Sequence, residues 1–161
     1  MFKSNIKRTL LDSLIILAIF LVDRISKIYI LKIAELENIV DIYLTSYLNL
    51  YLIWNKGIAF GLFSFEDNFI YQLISSLIFI ISIVLVVMII KSNGFNKYSM
   101  ILILGGALGN LFDRIYYSAV PDFIDLHFQG FHWFVFNVAD IFITFGVICL
   151  ILSEINLKKG N

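Results

Sequence analysis

Gly105-Gly106-Ala107-Leu108-Gly109-Asn110-Leu111-Phe112-Asp113-Arg114 closes one apolar run, and Phe136-Asn137-Val138-Ala139-Asp140 opens the next. Between them lies Val120-Pro121-Asp122-Phe123-Ile124-Asp125. Asp113, Arg114, Asp122, Asp125 and Asp140 therefore stand beside sequence that otherwise suits hydrocarbon. An ionisable group in that setting is costly, so each is a functional candidate. A chain that leaves one apolar run, bends through carboxylates and enters another decides how everything around it is read.

The surrounding composition agrees. The 161 residues are 60% hydrophobic and 15% charged, with a mean hydropathy of +0.92. Soluble domains are nearer half apolar and a quarter charged, so an integral membrane protein is expected. A formal net charge of zero, with no basic patch carrying interleaved aromatics, argues against a nucleic-acid partner. The single cysteine, Cys149, excludes an internal disulfide and a multi-thiol metal site; within an apolar run it reads as a small packing residue.

Four apolar runs are long enough, or nearly so, to cross a bilayer: about 10–31, 69–90, 98–115 and 137–153. The first follows Lys3, Lys7 and Arg8 but has no small-x-small cleavage site and leads into Asp23, Arg24 and Lys27. It reads as a retained span rather than a removed leader. No repeat is visible, so a single domain over 1–161 is expected. Seven of the twelve Lys and Arg fall before the first span, between the second and third, and after the fourth. By the positive-inside tendency both termini are then cytoplasmic, and the connections 32–68 and 116–136 lie outside.

That orientation puts Asp23 and Lys27, Asn110, Asp113 and Arg114, and Asn137 and Asp140 at the outer ends of three spans. Spacings of three and four residues place each set on one helical face. Three polar faces at one depth describe a site. In the first outer connection, residues 39–44 and 47–54 are β-branched and aromatic with partial alternation, which predicts short strands. Tyr43, Tyr47, Tyr51, Trp54, Phe60, Phe63 and Phe65 suit a membrane interface. The glycines of Asn55-Lys56-Gly57-Ile58-Ala59-Phe60-Gly61 permit a tight turn or close backbone approach. In the second connection Pro121 stiffens the chain just before Asp122.

Several of these signals have plainer readings. Asp23 and Lys27 also fit a snorkelling ion pair at a helix end, and Asp113 with Arg114 a structural pair tying the third span to its neighbours. Gly105, Gly106 and Gly109 suit close helix packing in a bilayer; without a preceding strand they are weak evidence for a dinucleotide. His127 and His132, near Asp122 and Asp125, read as interfacial rather than as metal ligands. Asp122 and Asp140 stand out on chemistry: two carboxylates held close cannot both ionise, so one keeps a proton while the other acts as base. A small transporter would need ionisable groups at several depths, and a non-enzymatic assembly factor leaves that pair unexplained.

Five blocks in order carry a resemblance: Asp23-Arg24-Ile25-Ser26-Lys27, Asn55-Lys56-Gly57-Ile58-Ala59-Phe60, Gly105 to Arg114, Val120-Pro121-Asp122-Phe123-Ile124, and Phe136 to Asp140. Over essentially its whole length the chain resembles lipoprotein signal peptidase (signal peptidase II), a bacterial family of membrane aspartyl proteases. Ser26 stands where threonine is usual, Lys56 and Ile58 where Asn or Thr and Ala are common, and Pro121 where an aliphatic residue is usual. The resemblance implies a four-helix transmembrane protein of the bacterial cytoplasmic (inner) membrane, with an outer β-cradle. It implies an aspartic endopeptidase that removes the signal peptide from diacylglyceryl-modified prolipoproteins, just before the lipidated cysteine. Asp122 and Asp140 match the catalytic dyad. Asp23, Lys27, Asn55, Gly57, Asn110, Arg114, Asn137 and Ala139 match positions that support the dyad or bind substrate. No metal or cofactor is expected; the expected partners are the lipid-modified precursor and membrane lipids, with the protein acting as a monomer.

Overall fold

The computed structural model describes residues 2–57, 68–128 and 131–159. Four helices account for most of them: α1 (Phe2–Glu37), α2 (Asn68–Lys91), α3 (Gly94–Tyr117) and α4 (Val138–Lys159). The remaining elements are β1 (Asp41–Thr45), β2 (Leu48–Asn55), β3 (Val120–Phe128) and β4 (Phe131–Phe136), which form one antiparallel sheet in the order β1-β2-β3-β4. The protein is thus mostly helical with a small antiparallel sheet. Each of the four apolar runs forms a helix; α1, α2 and α3 extend one to eight residues beyond their runs at both ends, while α4 begins one residue inside its run and continues six residues past it.

Two helical stretches, Tyr71–Lys91 and Val138–Asn156, are long and apolar enough to cross a membrane. Their large side chains are widely exposed, among them Leu77, Ile80, Ile83 and Ile90 on α2 and Phe145, Ile148 and Ile151 on α4. Contiguous apolar surface on this scale suits lipid rather than water. Helices α1 and α3 are at least as long but carry charge along their length: Asp12, Asp23, Arg24 and Lys27 on one, Lys97, Asp113 and Arg114 on the other. All seven are buried. Lys97 pairs with Asp12 near one end of the two helices, and Asp23, Arg24, Lys27 and Asp113 meet near the other.

Helix α3 packs against the other three helices, and its glycines set how close they come. A Cβ on Gly106 would lie 2.5 Å from the Ala139 carbonyl oxygen, and one on Gly105 would lie 2.8 Å from Ile19. Hydrocarbon gives apolar side chains little reason to associate, so such contacts rely on small residues that let backbones approach. Leu85 and Ile89 of α2 pack with Met100, Ile101 and Leu104 of α3. Helix α3 ends at Ser118, whose left-handed conformation (φ 56°) breaks the turn.

The strands expected at 39–44 and 47–54 are β1 and β2, displaced by about a residue. The expected sheet is larger, because the second connection supplies β3 and β4, which its polar residues had disguised. Pro121 sits in β3 paired with Trp54. β4 pairs with β3 only from Ile124 onward, so Pro121 occupies a stretch with a partner on one side, where a missing N–H is tolerated. Phe123 packs on Ile30 and Val40, fastening the sheet to the end of α1. Tyr43, Tyr47, Tyr51 and Trp54 are exposed on the sheet. The stretch with Phe60, Phe63 and Phe65 lies outside the described residues.

Candidate active site

Asp140 is placed by the start of α4. Asn137 caps the helix: its Oδ1 accepts the Asp140 N–H at 3.2 Å, and Asp140 Oδ2 accepts the Asn137 N–H at 3.2 Å. This reciprocal pair is a capping box with Asn and Asp in the usual roles. The Ala139 N–H donates instead to Asp23 Oδ1 of α1, at 3.0 Å. Two otherwise orphaned amides of the first turn are thereby satisfied, one of them by a different helix. Ala139 is fully buried against the glycine-lined face of α3, which leaves no room for a larger side chain.

Asp122 is placed by β3 and by two amides. Asn137 Nδ2 donates to its Oδ1 at 2.6 Å, and Asn55 Nδ2 to its Oδ2 at 2.9 Å. Neither amide is free to turn round, because each oxygen is already committed: Asn137 Oδ1 to the Asp140 N–H, and Asn55 Oδ1 to the Gly57 N–H at 2.8 Å. Asn137 therefore touches both carboxylates at once. Asp122 is 1% exposed. Burial, and then the charge of Asp140, push its carboxyl up to about 6, against the pull of the Asn137 and Asn55 amides.

Behind the pair lies a closed charge cluster. Lys27 Nζ donates to Asp23 at 2.9 Å, to Asn110 Oδ1 at 2.9 Å and to Asp113 at 2.6 Å. That uses all three ammonium protons. Lysine has no acceptor, so the Asn110 oxygen must face it, and Asn110 Nδ2 is turned to Asp140 Oδ1 at 2.8 Å. Arg24 completes the cluster at 2.5 Å from Asp113 and stacks over the Phe112 ring at 4.9 Å.

The residues singled out in the sequence are brought together, with changes of partner. Asp23 and Lys27 do not snorkel; both are wholly buried and lock α1 to α3 and α4. Asp113 and Arg114 do tie α3 to its neighbours, but not through each other, since adjacent helical residues diverge. Asp113 takes Lys27 and Arg24, while Arg114 donates to the Gly57 carbonyl at 2.6 Å and lies over the Tyr71 ring. Sequence reasoning did not single out Arg24 as a member of the site. It did bring Asp113 there, through the i,i+3 spacing from Asn110, though not among the residues matched to dyad support. Tyr71, whose hydroxyl donates to the Arg114 carbonyl, had no signal.

Asp122, Asp140, Asn55, Asn110, Asn137 and Arg114 open onto one cavity of about 330 Å³, which continues between α2, α3 and α4 along Ile74, Leu77, Ile78, Ile81, Ile103 and Ile143. Carboxylates at one end of an apolar trough that runs between helices suited to lipid are what a membrane peptidase of the aspartic type requires. The chain belongs to the signal peptidase II family: the family's model, described as signal peptidase (SPase) II, matches residues 15–156. It is 60% identical to a lipoprotein signal peptidase of Pelagibacter ubique (strain HTCC1062), over 99% of this chain and 97% of that one. A lipoprotein signal peptidase of Anaplasma phagocytophilum (strain HZ) is 38% identical over 95% and 97%. A solved structure described as a bacterial membrane enzyme superposes with a TM-score of 0.74 at 30% identity, covering 93% of this chain and 90% of its own.

Proposed function

We propose that Asp122 and Asp140 are the catalytic dyad of this signal peptidase, and that the substrate is a diacylglyceryl-modified prolipoprotein cut just before its lipidated cysteine. The observation that carries this reading is the shared cavity. Two carboxylates face one space, and among the described residues no cation contacts either directly, so the pair retains a proton. Beyond the asparagines and Arg114 at its polar end the cavity is walled by aliphatic side chains. From Ile74 to Leu85 the trough follows α2 for about 16 Å at 1.5 Å per residue. That is close to half the ~30 Å hydrocarbon core of a bilayer, a length suited to an acyl chain held within one leaflet.

The chemistry follows from the two environments. Asp140 lies in the first turn of α4, where the helix amides favour an anion, and its charge in turn favours the proton on Asp122, so this reading places the shared proton on Asp122. Ionised Asp140 takes a proton from water as the water oxygen bonds to the scissile carbonyl carbon. Protonated Asp122 donates a hydrogen bond to the carbonyl oxygen and stabilises the tetrahedral intermediate. When the C–N bond breaks, the proton held by Asp140 passes to the departing amine. Asn137 keeps the two carboxyls in register, and Lys27, acting through Asn110, holds Asp140. Asp23 holds the first turn of α4, and Arg114 holds Gly57 and the strand that carries Asn55.

All four helices span the membrane in this reading, as one peptidase domain over 1–161. The charged residues of α1 and α3 are tolerated because they neutralise one another away from lipid. Both termini are cytoplasmic, and the sheet rests on the outer face of the bacterial cytoplasmic membrane with its aromatics at the interface. The protein acts as a monomer, without a cofactor. Cysteine placed at exposed Ser46, in a Cys149→Ser background, should react with an impermeant maleimide from outside intact inner-membrane cells. Reaction only from the cytoplasmic side would reverse the orientation.

The deciding experiment is cleavage of a diacylglyceryl-modified precursor by the purified chain in micelles. Release of the signal peptide, with an unmodified precursor left uncut, supports both substrate and reaction. Equal cleavage of the two precursors would remove the role given to the apolar trough.

A further inference from the structure

We propose that Asp125, His127 and His132 form a binding site for one divalent transition-metal ion, Zn²⁺ by ligand type, separate from the dyad. Along β3 side chains alternate between faces. Asp125 lies three residues beyond Asp122, an odd spacing that alternation assigns to the other face. His127, two residues further, stays beside it at 3.8 Å although the β3–β4 register shifts between Leu126 and His127. His132 of β4 is the cross-strand partner of His127, so all three side chains leave one surface. Phe123 occupies the same face and packs against α1. The cluster therefore begins where that apolar contact ends.

The donor atoms already converge. One Nδ1 or Nε2 from each imidazole and one Asp125 oxygen all lie within 4.8 Å of one another. Asp125 Oδ2 is 2.7 Å from His132 Nδ1 and 3.8 Å from His127 Nδ1. Bonds of about 2.0–2.2 Å at a tetrahedral angle require donors ~3.3 Å apart. The largest adjustment is up to about 1.5 Å, and His132 can supply it because its side chain is 58% exposed.

What points to a ligand is the state of the buried partners. Asp125 is 2% exposed, and its Oδ1 has no hydrogen-bond partner; nor has the buried Nδ1 of His127. No lysine or arginine pairs with Asp125 among the described residues. Asn49, register-paired with Asp125 across β2 and β3, also buries an unpartnered Oδ1 on this face. Buried polar atoms rarely go unmatched, and two imidazoles with a carboxylate are donors that zinc accepts. Binding requires both imidazoles as the Nε2–H tautomer, which frees each Nδ1 lone pair for the ion. The bound ion joins β3 to β4 and stiffens the strand that carries Asp122, without entering the reaction.

The test uses the untagged, metal-stripped full chain in detergent micelles. Calorimetric titration with Zn²⁺ should give one ion per chain, and Co²⁺ should develop the visible absorption of a nitrogen- and oxygen-ligated tetrahedral site. His127→Ala and His132→Ala should each weaken Zn²⁺ binding by at least about tenfold and abolish any Zn²⁺-dependent rise in melting temperature. The exposed His132 can be replaced without disturbing the fold, as circular dichroism will verify. Failure of the wild-type chain to bind Zn²⁺ overturns the proposal, as does binding that changes less than tenfold in both histidine variants. Either result leaves the dyad reading untouched, since peptide cleavage is not the readout.

Discussion

Two groups of ionisable side chains are buried a few residues apart in this protein, and they are built on opposite plans. The Asp23–Arg24–Lys27–Asp113 cluster holds two carboxylates and two cations in direct contact. Its charge sums to zero, and Lys27 has no proton left to give. The Asp122–Asp140 pair holds two carboxylates and, among the described residues, receives only neutral donors: Asn55, Asn110, Asn137 and a backbone amide. One group is chemically closed, and the other must carry a proton it is able to transfer. The difference separates what holds helices together from what performs chemistry, even though both groups share Asp23's grip on α4 and Asn110's link to Lys27.

The sharpest way to break the comparison is to neutralise the open pair. Asp122→Asn and Asp140→Asn should each reduce cleavage of the lipidated precursor by about 1000-fold or more, within the range of general acid–base contributions. The double variant should be no worse than the worse single, because the two carboxylates act as a unit. Binding of the lipidated precursor should survive in all three, since the apolar trough is unchanged. A correctly folded Asp140→Asn chain that cleaves at near wild-type rate would falsify the dyad.

Neutralising the closed cluster should damage stability first. Lys27→Met leaves two buried carboxylates sharing one arginine, and breaking a buried pair on one side typically costs about 3–5 kcal/mol. Thermal unfolding in micelles should shift down sharply. Adding Asp113→Asn should recover part of the loss, because charge balance with Asp23 and Arg24 is restored. Should Lys27→Met melt with the wild type, the cluster contributes no net stability and the contrast with the dyad fails.

Much of this arrangement was legible in the sequence, for identifiable reasons. The helices declare themselves because hydrocarbon demands long apolar runs. Three- and four-residue spacings put Asp23 with Lys27 and Asn137 with Asp140 on single faces, as found. The strands β1 and β2 were readable from alternation, but β3 and β4 were not. Asp122, Asp125, His127 and His132 interrupt the apolar pattern, and Pro121 argues against a paired strand. Partner choice was least accessible. Asp113 and Arg114 are neighbours in sequence, yet helical geometry sends one towards α1 and the other to the Gly57 carbonyl, and no spacing rule names a carbonyl beyond the helix.

The smallest expected effect is a shift in pH dependence, and it tests the open pair without removing either carboxylate. Cleavage requires the proton on Asp122, whose carboxyl is raised from 3.8 to about 6 by burial and then by Asp140. An acid must be protonated to donate, so kcat/KM should fall as pH rises through about 6; this limb belongs to the free enzyme. The Asn55 amide favours the ionised form and lowers the value. Asn55→Ala removes that donor, so Asp122 holds its proton more firmly and the alkaline limb moves to higher pH. Loss of strand geometry alone would lower the rate at every pH and leave the limb where it was. Arg24→Lys, which keeps the charge of the closed cluster, should also leave it in place. Profiles recorded in micelles of one zwitterionic detergent, at fixed ionic strength, distinguish these outcomes. An Asn55→Ala limb that stays put or moves to lower pH would place the transferable proton somewhere other than Asp122.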